Sequence, residues 1–322
     1  MRVTSNLFPE TFKSQLYDLQ ERQLQFQKEI ATGLKLYRSS QDPVHFQFAQ
    51  QTTEARQQNN AYLNTNSEAL THSDYNHQSI KDLMTSANRA YELGMRATNI
   101  YSADQLKAIG VEMSNLLNQL ASTVNNTMNG DYLFGGTANQ QPVTITAGDP
   151  PTYNYNPSTN SNISQAQVSR VAFIDTSFVS GRPAAAGAPG YTGLLVSNPA
   201  ASMDPNNPDV DSDIFTAVTA LRNSLDNGIP IEQDGNAMKA VKLGMERLTE
   251  NLGRSAARME GLELNKSSLR DQVQIQSERI GDLTEASLTD SIANLQKIQL
   301  HYQGALQSGA RVLSISLMDY IR

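Results

Sequence analysis

The apolar positions at the two ends of the chain keep the same beat. Between Leu7 and Lys35, Phe12, Leu16, Leu19, Phe26 and Ile30 fall on a 4-3 spacing, with Gln23 in the slot between Leu19 and Phe26. From Ala286 to Arg322, Leu288, Ile292, Leu295, Tyr302, Leu306, Leu313 and Leu317 carry a matching stripe. Amphipathic helices with matching stripes can pack together. The pattern therefore predicts a mainly α chain that folds back on itself, an elongated rod of antiparallel long helices built from both ends, with the middle at its tip.

The stretch from Ala31 to Pro43 interrupts the first helix. Gly33 can supply a left-handed stop, Asp42 is a good N-cap, and Pro43 suits the first helical position, where its missing N–H is not needed. From Pro43 to about Tyr101 the chain has no further proline, and Tyr62, Ala69, Ile80, Leu83, Ala87 and Ala90 recur on one face. A single helix there would be on the order of 90 Å long. Ser102-Ala-Asp-Gln105 reads as a capping box opening a shorter helix striped by Leu106, Ile109, Met113, Leu116, Leu117, Leu120 and Val124, with Asn129-Gly130 as its stop.

The character changes at Asp131. Tyr132-Leu-Phe134 reads as a short strand, and from 136 to 208 prolines, glycines and asparagines punctuate alternating runs. Strands are expected at Pro142-Val-Thr-Ile-Thr146, at Gln167-Val-Ser-Arg-Val-Ala-Phe-Ile174 and at Gly193-Leu-Leu-Val196, in a small β-rich insertion. Helix returns after Asp213, an N-cap for Ile214 to Asp226, and stops at Asn227-Gly228. A further proline-free helical stretch starts near Asn236. Its charge is uneven: residues 236–285 hold 16 charged side chains, whereas 286–322 hold only Asp290, Lys297, Arg311, Asp319 and Arg322. Mixed charge suits a solvated face, and the charge-poor end suits burial on more than one side. These readings divide the chain into terminal assembly helices (1–38 and 286–322), a helical body (39–135 and 209–285) and an outer β-rich segment (136–208). Two thin stripes cover little of each other, so the two termini are expected to be largely disordered in the monomer and to fold on assembly.

Composition narrows the function classes. The 322 residues are 39% hydrophobic and 7% aromatic with no tryptophan, which disfavours one large globular core. A net charge of -7 without any Lys/Arg cluster argues against nucleic acid and points to protein partners. The absence of cysteine excludes disulfides and thiol chemistry. No apolar run approaches the roughly 20 residues needed to span a bilayer, and the first residues lack the apolar core of a secretory signal, so no membrane association is expected.

Candidate chemistry is sparse. The four histidines are His45, His72, His77 and His301; His72 and His77 lie five apart, on different helix faces, so no metal pair forms. Asp209, Asp211 and Asp213 mimic the opening of a calcium loop, but Ile214 stands where the loop needs glycine and Ala220 where it needs glutamate. Gly130 to Gly136 lacks the Gly-Lys-Ser/Thr ending of a phosphate cradle. No catalytic, cofactor or metal residue is assigned, and no enzyme is expected. The residues expected to carry function are Phe12, Leu16, Leu19, Phe26, Ile30, Leu288, Ile292, Leu295, Tyr302, Leu306, Leu313 and Leu317, as an assembly interface.

Three segments resemble flagellins and their relatives. Ala31-Thr-Gly-Leu-Lys-Leu36 followed by Ser39-Ser-Gln-Asp-Pro43 resembles the family's junction between its first two helices. Gly130-Asp-Tyr-Leu-Phe-Gly-Gly136 is similar to the end of its N-terminal helical part, and Val312-Leu-Ser-Ile-Ser-Leu-Met-Asp-Tyr-Ile321 to its C-terminal signature. The likeness spans roughly 1–136 and 210–322 and leaves out the middle. Within the family, the Asp42-Pro43 step and the Leu-Met-Asp-Tyr ending look most like the hook-associated members that join the flagellar hook to the filament.

The resemblance implies a flagellin-like helical rod and a structural role outside the cell, reached through type III export without a cleaved signal. It also implies the partners: a preceding hook-associated protein (FlgK type), flagellin, further copies of the chain in a ring, and an export chaperone (FlgN type). Two other readings remain at this stage: a filament flagellin subunit, and a surface glycan-binding module on a helical stalk that would use Tyr153 and Tyr155.

Overall fold

The computed structural model describes residues 7–99, 102–146, 152–155, 163–176, 178, 193–195, 204, 206–233 and 235–321; for 7–9, 138, 152, 154, 155 and 312–321 it describes the backbone alone. Among these, six helices dominate: α1 (Leu7–Thr32), α2 (Pro43–Ala97), α3 (Ala103–Val124), α4 (Ile214–Asp226), α5 (Asn236–Thr284) and α6 (Leu288–Ile321). Three two-stranded antiparallel hairpins lie between α3 and α4: β1 (Thr127–Met128) with β2 (Asp131–Tyr132), β3 (Val143–Thr146) with β4 (Thr152–Tyr155), and β5 (Gln165–Gln167) with β6 (Phe173–Asp175). The chain is mainly α, as its periodicity predicts. It divides into two compact units, Met1–Asn59 with Asp271–Arg322, and Asn60–Arg270.

Several boundaries follow from local chemistry. Gly33 adopts φ +72°, a region that costs other residues a steric penalty, and ends α1. Asp42 Oδ1 accepts the N–H groups of Val44 (3.1 Å) and His45 (3.0 Å), which starts α2 at Pro43. Asp213 does the same for α4, accepting from Phe215 (2.8 Å) and Thr216 (3.0 Å).

In the Asn60–Arg270 unit, α2 buries an unbroken 3-4 repeat: Asn66, Ala69, Ser73, Asn76, Ile80, Leu83, Ala87, Ala90, Gly94 and Ala97. Small residues toward its end let neighbours approach closely, so Gly94 sits under Met238 and Leu221. The short α4 is buried on nearly every side, with Ile214, Phe215, Ala217, Val218, Leu221 and Leu225 all in the core. It also buries Arg222, whose Nη2 donates to Asn223 Oδ1 at 2.7 Å. The β5–β6 hairpin seats Val168 beside Ala69 and Leu262. Asn265 donates to the Val168 carbonyl (3.0 Å), Asn76 donates to the Thr176 carbonyl (2.8 Å), and Arg258 pairs with Asp175 (3.2 Å) while stacking on Phe178.

The structure corrects several sequence expectations. Ser102 is the N-cap residue of α3, yet its side chain makes no capping bond. Asn129-Gly130 does not stop α3, which ends at Val124. With φ of 55° and 93° these residues form the tight turn between β1 and β2, because Asn-Gly suits a hairpin of that hand as well as a helix stop. Tyr132 closes β2, while Leu133 and Phe134 turn inward, 2% and 0% exposed, to fill the core. Residues 167–174 are not one strand but the turn and flanks of the β5–β6 hairpin, reversed where Val168 N–H donates to the Ala172 carbonyl (3.0 Å). Gly193 forms only a bridge and Leu194 and Leu195 a bend, with Val196 outside the described residues. The long α2 stops at Ala97; Ile100 and Tyr101 also lie outside them.

Candidate assembly surface

α1 and α6 pair along their length in the unit that holds both chain ends. Phe12, Leu16, Leu19, Gln23, Phe26 and Ile30 are half-buried at 4-3 spacing, so the predicted stripe of α1 is the one that faces α6. On α6 the covered positions are Ser291, Leu295, Ile298, Tyr302, Ala305 and Gly309. The helices run antiparallel with consistent register. Ser291 hydroxyl donates to Glu29 Oε2 at one end (3.1 Å), and Phe12 lies against Gly309 at the other. Glu29 is 6% exposed; its second carboxyl oxygen accepts from Gln25 Nε2 at 3.0 Å.

The closed end of the pair is tied by backbone. Gly33 stops α1, and just past the end of α5 an antiparallel β-bridge joins Leu34 to Glu285, with Lys35 N–H on the Thr284 carbonyl (2.8 Å) and Ala286 N–H on the Gly33 carbonyl (2.8 Å). Lys35 Nζ donates to the Asp282 carbonyl at 2.6 Å. This bridge interrupts the helical stretch after Asn236, which the absence of proline had made to read as continuous. Gly33 therefore has two roles: it frees the backbone to turn and presents a carbonyl to Ala286.

The predicted interface residues separate into groups. Phe12, Leu16, Leu19, Phe26, Ile30, Leu295 and Tyr302 belong to the α1–α6 seam. Leu288, Ile292 and Leu306 do not; they are 50%, 45% and 45% exposed, on a second stripe beside the seam. Leu313 and Leu317 lie in α6, but their side chains are outside the described residues. The sequence reading placed Gly309 within the stripe but missed Ser291, Ile298 and Ala305. Serine and alanine carry too little hydrophobicity to mark a stripe, which left Ile298 isolated between them.

Elsewhere several side chains with chemical potential are committed to structure. His45 contacts Asp42 at 2.5 Å across the α2 cap, and His72 Nδ1 lies 2.9 Å from Asn76 Nδ2. Asp213 caps α4 and also accepts the Thr216 hydroxyl. Tyr153 is 9% exposed with its hydroxyl on Asn118 Oδ1 (2.7 Å), so it offers no open ring for a sugar; the Tyr155 side chain is outside the described residues. A cleft of about 610 Å³ beside the end of α4 is lined by Asn206, Asn207, Asn223, Asn227, Ser224 and Glu232 among others, and the Ser224 hydroxyl donates to the Ala220 carbonyl (3.1 Å). Among the described residues no three His, Asp or Glu side chains gather as a metal site, and no helix is long and apolar enough to cross a membrane.

No protein-family model matches the chain, and no curated protein does. Solved structures do. The fold is that of flagellar hook-associated proteins. A structure of such a protein from Vibrio parahaemolyticus superposes with a TM-score of 0.59 at 12% identity, covering 76% of this chain and 100% of that one. Hook-associated protein 3 of Legionella pneumophila gives 0.56 at 15% identity over 74% of this chain and 98% of its own. The flagellar junction protein FlgL of the same organism gives 0.54 at 15% identity, over 74% and 100%.

Proposed function

We propose that the chain is a structural subunit of the bacterial flagellum that joins a hook-associated protein to the flagellin filament. One observation carries the reading: a chain with the fold of flagellar hook-associated proteins leaves a stripe of large apolar side chains, Leu288, Ile292 and Leu306, exposed beside a helix pair made from both of its ends. Full burial of each such side chain is worth about 1.5–3 kcal/mol, a driving force that a single chain leaves unused. Neighbouring subunits would supply the cover.

In this reading residues 1–38 and 286–322 form the inner assembly segment and become fully ordered there. Residues 39–135 and 209–285 surround it, and 136–208 project outward. The neighbours are a preceding hook-associated protein on one side, flagellin on the other and further copies in the same ring. An export chaperone holds the C-terminal arm beforehand, and the protein works outside the cell, in the flagellum, without catalysing a reaction. Deleting the gene in its own organism tests this. Cells should keep hooks, lose filaments and release monomeric flagellin; normal hook-attached filaments would remove the proposal. Growth of long filaments from the purified chain alone would instead make it a filament subunit.

A further inference from the structure

α6 carries two overlapping 4-3 stripes, and α1 sits on the poorer one. The inner stripe is Ser291, Leu295, Ile298, Tyr302, Ala305 and Gly309; the outer is Leu288, Ile292, Leu295, Gln299, Tyr302 and Leu306. They share Leu295 and Tyr302, and the next position of the outer stripe is again Gly309. At 100° per residue, Leu288, Ile292 and Leu306 lie about 60–100° around the helix from Ser291. On apolar area alone the outer stripe is the better partner, since Leu288, Ile292 and Leu306 there outweigh Ile298 and Ala305 of the inner stripe.

One contact belongs to the inner stripe alone. Glu29, almost wholly buried, takes a hydrogen bond from the Ser291 hydroxyl, and its other oxygen is held by Gln25. Turning α6 to present its outer stripe would offer Leu288 or Ile292 at that level, neither of which can donate, and a buried acceptor left without its donor is strongly disfavoured. At the far end Phe12 packs where Gly309, a position common to both stripes, has no side chain; a Cβ built there would come within 2.2 Å of the ring.

We propose that the Glu29–Ser291 pair selects which face of α6 pairs with α1. It is a specificity determinant: it holds the poorer face inward and keeps the richer face free for another chain. The selection itself is independent of the flagellar reading; only the identity of the chain that covers the outer stripe rests on it. A buried polar group that fixes one helix pairing among several is an established use of such groups.

The chain has no cysteine, so single cysteines report the face directly. In the full-length chain, Ile292→Cys should react quickly with a thiol reagent and Ile298→Cys slowly. In a Glu29→Leu/Ser291→Leu background the order should reverse, with each rate moving by roughly tenfold, the scale of one buried hydrogen-bond partner lost. Glu29→Gln keeps an acceptor for the Ser291 hydroxyl and should retain the original order. The proposal is overturned if the order is unchanged in the double-leucine background, if both cysteines become fast there, or if Glu29→Gln reverses the order as fully. Loss of flagellar function with the face selection intact would bear on the proposed function and leave the selection standing.

Discussion

The ring of Phe12 rests on Gly309, so that α1 and α6 touch through an aromatic side chain and bare backbone. A methyl group at Gly309 would displace the ring. Overpacking of this kind costs about 1–3 kcal/mol, against about 1 kcal/mol gained in helix propensity. Gly309→Ala should therefore lower the stability of the α1–α6 pair, seen as faster hydrogen exchange in both helices. Gly304, on the same helix, has nothing within 4 Å of its added Cβ. Gly304→Ala should slow exchange in α6, gaining about 0.5–1 kcal/mol.

The exposed stripe of α6 makes a separate prediction. Ile292 and Leu306 are each 45% exposed, so Ile292→Asp and Leu306→Asp should leave the circular dichroism of the isolated chain close to that of the parent. Burial of those charges in an assembly is strongly unfavourable. Cells carrying either variant should export the protein and fail to swim in soft agar; undiminished swimming of both would show that the stripe is not covered.

Asp213 sets a pH dependence. Its carboxyl is fully buried at the start of α4, and burial pushes its pKa above the ordinary 3.8 despite the bonds it accepts from Thr216 and Phe215. The folded chain then binds more protons here than the unfolded chain between 3.8 and the raised value, so this group's contribution to stability falls as pH rises through that window. Asp213→Asn keeps an acceptor for the cap and does not titrate. Its stability relative to the parent should improve as pH rises from about 4 and level off above the raised pKa. Asp213→Ala, which loses the cap, should cost about 1–2 kcal/mol. Denaturant unfolding across pH gives the comparison, and parallel curves for parent and Asn variant would refute it.

Asn66 is completely buried in the 3-4 repeat of α2, and among the described residues neither its Oδ1 nor its Nδ2 has a partner. Leucine branches at the same atom, is somewhat bulkier and needs no partner. Asn66→Leu should raise the melting temperature, the stabilisation being about 1–3 kcal/mol. A lower melting temperature would mean that the amide is satisfied in solution and is part of what holds α2 in place.

Much of the fold was legible because it is local. Asp42-Pro43, Asp213 and Asn227-Gly228 mark helix ends by satisfying or ending their own backbone, and the structure uses each of them there. The stripes of α1, α2 and α3 were readable for a similar reason, since one buried face leaves a period in the sequence. Reading failed where one signal fits two structures. Asn129-Gly130 serves a hairpin as well as a helix stop, and Gln167 to Ile174 alternates like a strand although its middle turns.

By itself, then, the sequence determined a mainly α chain, the ends of its capped helices, and a pair of amphipathic helices at its two extremities. Those features depend on residues within a few positions of one another, and short-range hydrogen bonds and periodicity record them directly. Only the tertiary structure decided where α5 gives way to α6 and which face of α6 meets α1. The first depends on the bridge from Leu34 to Glu285, residues 251 positions apart. The second turns on Glu29 needing the hydroxyl of Ser291, a requirement that does not show in hydrophobicity and arises only when distant segments meet.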